Sequence, residues 1–400
     1  SRFEFARAKF GLDHLSIRSG RSAAFAWPTI VRVGVEATRL AAHRSGTEGA
    51  SGLSSPKRYL WDEEPQRDSW RVNAKELKPG ESPFATDVAF TTFINDLGEP
   101  LHRVKPATLE QYPDRGILAI RALYSRSHLT SFALAEIFVQ AIAMMNSPMH
   151  RLRRPVNADL PRRLGRIIMT KPTAIPLAER HILKERAEAA RDLAYLSLGL
   201  AEIDTQDDGS TRLRYTLEGL LQADRHGGGP EVILQWDEAT ATQAVYLYTQ
   251  VAQNYSGDAR SFFDSTRRPD NAQDPAASGR FRLATIDLGG GTTDLVVTSI
   301  AVEGSGAHVT MTPFQEFREG FNLAGDDALL KVVQEHVVAP VRRQLQTLGL
   351  GDRADAVLNQ LVGGDHGEKQ AVEYVRRQQF AAQVAAPIAL GLLQAYEPFD

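Results

Sequence analysis

Apolar and polar residues follow two different periods along the chain, and these periods predict alternating strands and helices. Apolar residues recur at helical spacing from Ala178 to Leu198, which predicts a long amphipathic helix. Apolar runs at Leu164–Thr170 and Val232–Leu234 predict one strand before this helix and one after it. Two further runs, Ala284–Ile286 and Leu295–Thr298, are joined by a glycine-rich turn and predict a β-hairpin. A strand, a helix and a second strand form the crossover unit of an α/β protein.

The turn of this hairpin has a composition that suits phosphate and magnesium. It contains three glycines, Gly289, Gly290 and Gly291, and the missing side chains let the backbone approach a ligand closely. Successive backbone N–H groups in such a turn form a concave surface that favours anions. Asp287 and Asp294 flank the turn, and carboxylates bind Mg²⁺ and its water molecules. These residues indicate a nucleotide site, and the alternative is an ordinary glycine-rich hairpin with solvated acids.

Length, charge and composition narrow the class of protein. The chain has 400 residues, enough for two or three domains, and its 42% hydrophobic and 24% charged residues are typical of a soluble globular protein. A net charge of −3 gives no reason to expect binding to nucleic acid. The absence of cysteine excludes thiol catalysis and disulfides within these residues and fits a cytoplasmic location. The most apolar run, Phe132–Met145, is too short to span a bilayer, so we expect a buried helix and no membrane span.

One basic segment requires a separate interpretation. Residues 151–163 are rich in arginine and are interrupted by Pro155 and Pro161. Clustered arginines can bind nucleic acid, but no aromatic residues for base stacking are interleaved with them. The pattern therefore favours a solvated loop over a nucleic-acid interface.

Residues 287–294, Asp-Leu-Gly-Gly-Gly-Thr-Thr-Asp, resemble the second phosphate loop of the actin-like ATPase superfamily, in the form found in DnaK-type (Hsp70-like) chaperones. The resemblance implies a two-lobed α/β fold of the ribonuclease H-like kind, with ATP and Mg²⁺ as cofactors. It implies that Asp287 and Asp294 hold magnesium waters and that Asp287 takes part in catalysis. It also implies that phosphates contact the backbone N–H groups from Gly289 to Thr293 and the hydroxyl of Thr292.

Three other short segments extend this resemblance. Residues 57–60, Lys-Arg-Tyr-Leu, are similar to a chaperone segment whose lysine reaches the γ-phosphate, which assigns that role to Lys57. Residues 235–246 are similar to the first connecting motif, where a glutamate faces the nucleotide, which assigns Glu238 to positioning water. Residues 320–327 are similar to the segment whose glycine approaches the phosphates, and Gly325 takes that position.

Each assignment has an ordinary structural alternative. Lys57 is otherwise a solvated surface lysine, and Glu238 otherwise only stabilises the N-terminus of its helix. Asp326, next to the assigned glycine, is explained more simply as a helix N-cap than as a metal ligand.

The resemblance also divides the chain into lobes. It implies a first lobe at residues 1–236, with a small subdomain at about 45–125, and a crossover helix at 237–256. A linker or insertion follows at 257–280, and the second lobe starts at 281–400. The sequence contains neither the first phosphate loop nor the adenosine loop of the superfamily. We therefore expect a fold that is truncated at both ends.

Several segments differ from true chaperones and resemble the bacterial virulence-factor SrfB family, large proteins with an actin-like ATPase core. These segments are Leu15–Arg21, Trp27–Pro28, Ser55–Trp61 and Trp236–Thr240. The expected function is an ATP-binding, ATP-hydrolysing conformational switch with an unknown protein partner and with assembly into oligomers or filaments. The alternative is a non-hydrolysing actin-like scaffold or interaction protein. A sugar or acetate kinase is less favoured because no sugar-site signature is present.

Overall fold

The computed structural model describes residues 2–10, 25–44, 51–66, 70–73, 77, 82–86, 90–153, 156–173, 175–206, 211–215, 229–266, 280–305, 308–321, 323–362 and 371–396. Two segments used in the sequence predictions, 15–21 and 267–279, lie outside these residues.

The described part of the chain contains both strands and helices. The strands are β1 (Arg2–Phe5), β2 (Lys9–Phe10), β3 (Phe25–Ala26), β4 (Val31–Val33), β5 (Gly52–Ser54), β6 (Arg166–Ile168), β7 (Ala201–Thr205), β8 (Thr211–Tyr215), β9 (Glu231–Ile233), β10 (Arg280–Leu288), β11 (Thr293–Ser305) and β12 (His308–Phe321). The α-helices are α1 (Gly34–Ala42), α2 (Pro106–Gln111), α3 (Arg126–Asn146), α4 (Pro148–Leu152), α5 (Leu177–Ser197), α6 (Glu238–Thr249), α7 (Ala259–Thr266), α8 (Gly325–Val332), α9 (Ala339–Thr347), α10 (Gly351–Val362), α11 (Ala371–Phe380) and α12 (Ala386–Gln394). Short 3₁₀ segments occupy Pro56–Tyr59, Phe90–Phe93, Leu101–Arg103 and Pro113–Gly116, and π-helical segments occupy Gln250–Asn254, Val333–Val338 and Ala381–Ala385.

The chain packs into two compact units. The first unit comprises residues 1–167, 181–232 and 333–400, and the second comprises residues 168–180 and 233–332. These units are defined by packing, so the lobe boundaries inferred from the sequence remain a prediction.

The core of the first unit surrounds strand β1. This strand lies between β4 and β5 in a three-stranded antiparallel sheet. Phe5 is 1% exposed, and its ring lies 5.7 Å from that of Trp70 and 6.3 Å from that of Tyr124. Tyr124 in turn meets Phe132 of α3 edge to face, with ring centroids 5.0 Å apart. Each buried aromatic side chain of this kind contributes roughly 1.5–3 kcal/mol through its removal from water.

Helix α3 contains the apolar run for which a buried helix was predicted. Ser125 begins the helix as its N-cap, accepting a hydrogen bond from the backbone N–H of His128. By length and composition the helix could cross a membrane, so the expectation that this run is too short to do so is wrong, but 56% of its apolar window is buried inside the fold. Its Glu136 is fully buried and accepts hydrogen bonds from the Trp27 indole N–H and the Thr29 hydroxyl. A helix that packs in this way behaves as a core helix of the first unit.

Helix α5 confirms the amphipathic helix predicted from the sequence and contains a buried charge. Asp192 is 2% exposed and accepts hydrogen bonds from His102, Arg103, Arg191 and Tyr215. Burial alone would raise the pKa of Asp192, but the hydrogen bond from His102 and the charges of Arg103 and Arg191 hold it well below its usual range. This network fixes α5 against the segment around residue 102.

The second unit is built on a three-stranded antiparallel sheet in the order β10-β11-β12. The pairing of β10 with β11 confirms the predicted hairpin. Helices α6 and α7 share a core with this sheet, whose buried members are Leu247, Val251, Ala259, Phe262, Phe263 and Ile300. The helical stretch formed by α6 and Gln250–Asn254 lies where a helix was predicted at 237–256. Part of the predicted linker is helical, since α7 lies within residues 257–280. Its Phe262 and Phe263 pack against Phe281 of β10.

Candidate nucleotide site

The hairpin places two carboxylates face to face at the mouth of the glycine turn. Asp287 pairs directly with Asp294 in the β10–β11 ladder, and the four-residue turn Gly289–Thr292 follows one step later. Side chains that are directly opposite in an antiparallel pair lie on the same face, and like charges there repel one another. The turn is closed by the backbone N–H of Gly289, which donates to the carbonyl of Thr292 at 2.9 Å. The two acids and the turn therefore form one local structure.

Asp294 is the most deeply buried acid of this group. It is 2% exposed, and its carboxylate accepts a hydrogen bond from the backbone N–H of Thr173. Burial raises the pKa of Asp294, and the negative charges of Glu238 and Asp287 raise it further. Within the described part of the chain, its Oδ1 atom and the neighbouring Thr173 hydroxyl are buried without a hydrogen-bond partner. Such a group is stabilised by a bound cation or by a water molecule that a cation orients.

Two more carboxylates, those of Asp237 and Glu238, lie at the start of α6 in the same unit as the glycine turn. Asp237 caps the helix by accepting hydrogen bonds from the Thr240 backbone N–H at 2.7 Å and from its hydroxyl at 2.9 Å. Glu238 follows in the first turn and is half-buried. The segment that follows β6 holds this helix start in place, because the Lys171 carbonyl accepts a hydrogen bond from the Glu238 N–H at 2.9 Å. The segment after β6 thus positions both the helix N-terminus and, through Thr173, the buried Asp294.

Sequence reasoning missed two residues of this site, Lys171 and Thr173. Lys171 is 7% exposed and forms a parallel bridge with Asp237. Burial lowers the pKa of its ammonium group, and the charge of Asp237 opposes this effect. The available signal was their position directly after a predicted strand, since polar residues at strand ends of an α/β fold often face a ligand.

The N-terminus of α8 lies against the glycine turn. The backbone N–H of Gly325 donates to the carbonyl of Gly289 at 3.0 Å, and the N–H of Asp326 donates to the carbonyl of Gly290 at 2.8 Å. A Cβ atom on Gly325 would lie 3.2 Å from the Gly289 carbonyl oxygen, which is tighter than ordinary contact. Glycine at this position therefore allows the two backbones to approach, while the contact of Gly325 with phosphates stays a prediction.

The capping carboxylate at the start of α8 belongs to Asp327. Its Oδ2 atom accepts a hydrogen bond from the Ala324 backbone N–H at 2.8 Å, so the interpretation of Asp326 as the N-cap is wrong. The carboxylate of Asp326 instead lies over the turn, with Oδ1 at 3.4 Å from the position of a Cβ atom built on Gly290. This places a negative group beside the backbone that was expected to bind phosphate.

Only some of the backbone N–H groups in the glycine turn are available to bind phosphate. The N–H of Gly289 is used within the turn, so a phosphate contact there requires that bond to break. Among the described residues no hydrogen bond is formed by the N–H groups of Gly291 and Thr292, and these remain the available donors. The hydroxyl of Thr293 donates to the carbonyl of Leu323 at 2.5 Å and ties the end of the turn to the segment before α8.

The carboxylates fit Mg²⁺ only if other ligands complete its coordination. The described ranges of the chain contain no group of three or more His, Cys, Asp or Glu side chains that could hold a metal by themselves. Magnesium commonly uses one or two carboxylates and completes its octahedral coordination with water and substrate phosphates. Asp287 and Asp294, with one buried oxygen unsatisfied, meet that smaller requirement.

The second unit therefore brings together most of the residues named from the sequence. Asp287, Asp294 and Glu238 interact electrostatically, and Gly325 contacts the glycine turn. Lys57 lies in the 3₁₀ segment Pro56–Tyr59 of the first unit and is half-buried. Its contact with the phosphates stays a prediction.

Comparison with known proteins agrees with one of the two family resemblances. A sequence model of the family described as virulence factor SrfB matches residues 1–400. The chain therefore belongs to the SrfB family, which confirms the closer of the two resemblances. No curated protein sequence matches the chain. Membership of the actin-like ATPase superfamily remains a prediction.

Proposed function

We propose that this SrfB chain carries a magnesium-dependent ATP site and acts as an ATP-hydrolysing conformational switch. The observation that carries the proposal is the burial of Asp294 opposite Asp287 at the mouth of a glycine turn, with one carboxylate oxygen unsatisfied. An arrangement of this kind costs stability in the absence of a cation, and such costs are typical of functional sites.

Different residues of the chain would bind the phosphates, hold the metal and orient the attacking water. When bound, ATP with Mg²⁺ supplies the phosphoanhydride bond that is broken. The N–H groups of Gly291 and Thr292, with the Thr292 hydroxyl, would donate to phosphate oxygens, as anion-binding turns do. Asp287 and Asp294 would hold the waters of the metal, and Glu238 would orient the attacking water from the start of α6.

We also propose that the two units derive from the lobes of an actin-like, ribonuclease H-like fold. Two features support this proposal. The sheet β10-β11-β12 is an antiparallel meander followed by helix α8. Strands β6 and β9 are neighbours in one sheet and are connected through α5 and the hairpin β7–β8, and β9 leads into α6, as in an α/β crossover with an inserted hairpin. In this fold Lys57 would supply the cation for the γ-phosphate, and α6 would transmit closure of the lobes.

A second candidate function is a scaffold that keeps the fold without hydrolysing ATP. It is favoured by the carboxylate of Asp326, which lies against Gly290 where an incoming phosphate would meet its negative charge. It is also favoured by the hydrogen bond that occupies the Gly289 N–H. A scaffold of this kind would assemble with itself or with a protein partner whether or not nucleotide is present.

Binding and turnover of ATP distinguish the two functions. We would measure both by calorimetry and phosphate release for the wild-type chain, for Asp287→Ala and for Asp264→Ala, an exposed acid on α7 of the same unit. A switch predicts that Asp287→Ala loses binding at least tenfold while Asp264→Ala matches the wild type. Equal affinity and turnover in all three proteins would refute the proposed site. Sedimentation that shows the same assembly with and without ATP, and no turnover, would favour the scaffold.

A further inference from the structure

A basic cavity in the first unit lies apart from the glycine turn in the sequence. Its volume is about 620 Å³, and it is lined by Met145, His150, Arg153, Arg162 and Arg163. Pockets for small molecules commonly have volumes of about 300–1,000 Å³. The lining comes from the end of α3, from α4 and from the arginine-rich segment that the sequence alone had indicated to be a solvated loop.

The position of Arg162 in this cavity is fixed by the side chain of Asn146. Asn146 Oδ1 accepts from the backbone N–H of Arg162 at 2.7 Å, and Asn146 Nδ2 donates to the Arg162 carbonyl at 3.0 Å. Ser147 caps α4 in the next position, accepting a hydrogen bond from the His150 backbone N–H. The last residue of α3 therefore holds the basic segment in a defined place, which a freely solvated loop would not have.

The charge of the cavity is unbalanced. None of the described residues that line the cavity is acidic, and residues 145–166 of the sequence contain six arginines and a single acid, Asp159. The Nε atom of Arg162 is buried and, within the described residues, has no hydrogen-bond partner. A buried guanidinium donor left unsatisfied is unfavourable, and an anionic ligand is the group that would satisfy it.

We propose that this cavity binds a small phosphorylated molecule. Arginine guanidinium groups match the geometry of phosphate oxygens and pair with them through two hydrogen bonds at once. His150 adds a further polar group, and Met145 offers an apolar surface for the organic part of the ligand. A nucleic acid is disfavoured because the lining residues that the structure describes include no aromatic side chain to stack on a base.

Titration of the full chain with inorganic pyrophosphate, without magnesium, tests the proposal. The variants are Arg162→Gln and Arg153→Gln, and the matched control is Arg212→Gln, which removes one exposed arginine from β8 of the same unit. We expect saturable binding to the wild type, weakened about tenfold or more by each cavity variant because a charge-assisted hydrogen bond is lost. Arg212→Gln and Asp287→Ala should bind as the wild type does.

Several results would overturn the proposal. Absence of saturable binding to the wild type would do so, as would an equal loss of affinity in Arg212→Gln, which indicates unspecific charge attraction. A change of affinity in Asp287→Ala, in either direction, would place the pyrophosphate at the glycine turn instead. Tighter binding of a single-stranded RNA, weakened by the same cavity variants, would assign the cavity to nucleic acid. Arg153 is exposed, so its variant is expected to fold even if Arg162→Gln does not.

Discussion

Asp294 lies directly opposite Asp287 in the β10–β11 ladder, and Asp294 is almost completely buried there. Two carboxylates in this relationship repel each other, and burial adds a desolvation cost for the inner one. The fold keeps this pair next to a glycine turn whose position is held by the start of α8. We interpret the pair as the protein's contribution to a magnesium site that water and ATP phosphates would complete.

Replacing Asp294 by asparagine should separate stability from function. The amide keeps the shape of the side chain and an oxygen for the Thr173 N–H, but removes the buried negative charge. We expect the Tm of the ligand-free protein to rise, while affinity for ATP with Mg²⁺ falls at least tenfold. Thermal unfolding and calorimetry measure the two effects. A lower Tm, or unchanged ATP affinity, would contradict the proposed role, and Asp264→Asn serves as an exposed control.

The raised pKa of Asp294 should make the free energy of unfolding depend on pH. Its pKa is raised in the folded protein above the ordinary value of 3.8. The folded state therefore binds the proton more tightly than the unfolded state does. The resulting stabilisation is fully present below pH 3.8 and is lost as the pH rises through the folded pKa.

This contribution can be isolated as the difference in free energy of unfolding between the wild type and Asp294→Asn. Urea titrations from about pH 4 to pH 8 should show the wild type losing stability relative to the variant as the pH increases. Addition of Mg²⁺ and ATP should reduce that difference. A constant difference across the range would show that Asp294 is not perturbed in the folded protein.

Gly325→Ala tests the contact between α8 and the glycine turn. The added methyl group would lie 3.2 Å from the Gly289 carbonyl oxygen, so the two backbones must separate. We expect a loss of about 1 kcal/mol in the free energy of unfolding, together with weaker ATP binding. Gly391→Ala in α12 is the control, since a Cβ atom there meets open space and should stabilise the helix by up to about 1 kcal/mol. Equal effects of the two substitutions would argue against a tight contact at the turn.

Asp237→Ala tests whether the start of α6 must be held in place for nucleotide binding. The substitution removes an N-cap and should cost about 1 kcal/mol of stability. Asp258→Ala removes a comparable set of hydrogen bonds at the start of α7, from Ser261 and Arg260. We expect similar losses in Tm, but reduced ATP turnover only in Asp237→Ala, because only that helix presents Glu238. Reduced turnover in both variants would indicate a general effect of lower stability.

Two local elements, the β10–β11 hairpin and helix α5, were predictable from the sequence for clear reasons. The hairpin has two β-branched runs joined by a glycine-rich turn, so its existence followed from local preferences, whereas its register was seen only in the structure. Helix α5 was predicted with nearly the observed bounds because its apolar residues recur at helical spacing over five turns.

The parts of the site that depend on tertiary packing were not predictable in the same way. The hydrogen bond from Thr173 to Asp294 joins residues more than a hundred positions apart, and only the fold brings them together. The use of the Gly289 N–H within the turn and the position of Asp326 over Gly290 depend on backbone geometry that composition does not specify. The assignment of the arginine-rich segment to a loop likewise missed Asn146, whose side chain holds that segment in place.

A crystal structure of the chain with Mg²⁺ and a non-hydrolysable ATP analogue would decide whether the glycine turn is a nucleotide site. We predict phosphate oxygens within about 3 Å of the backbone nitrogens of Gly291 and Thr292. We also predict the metal next to Asp287 and Asp294, with a water bound to the Asp294 Oδ1 atom. A nucleotide bound elsewhere, with the turn and its two carboxylates unchanged, would contradict the proposed site.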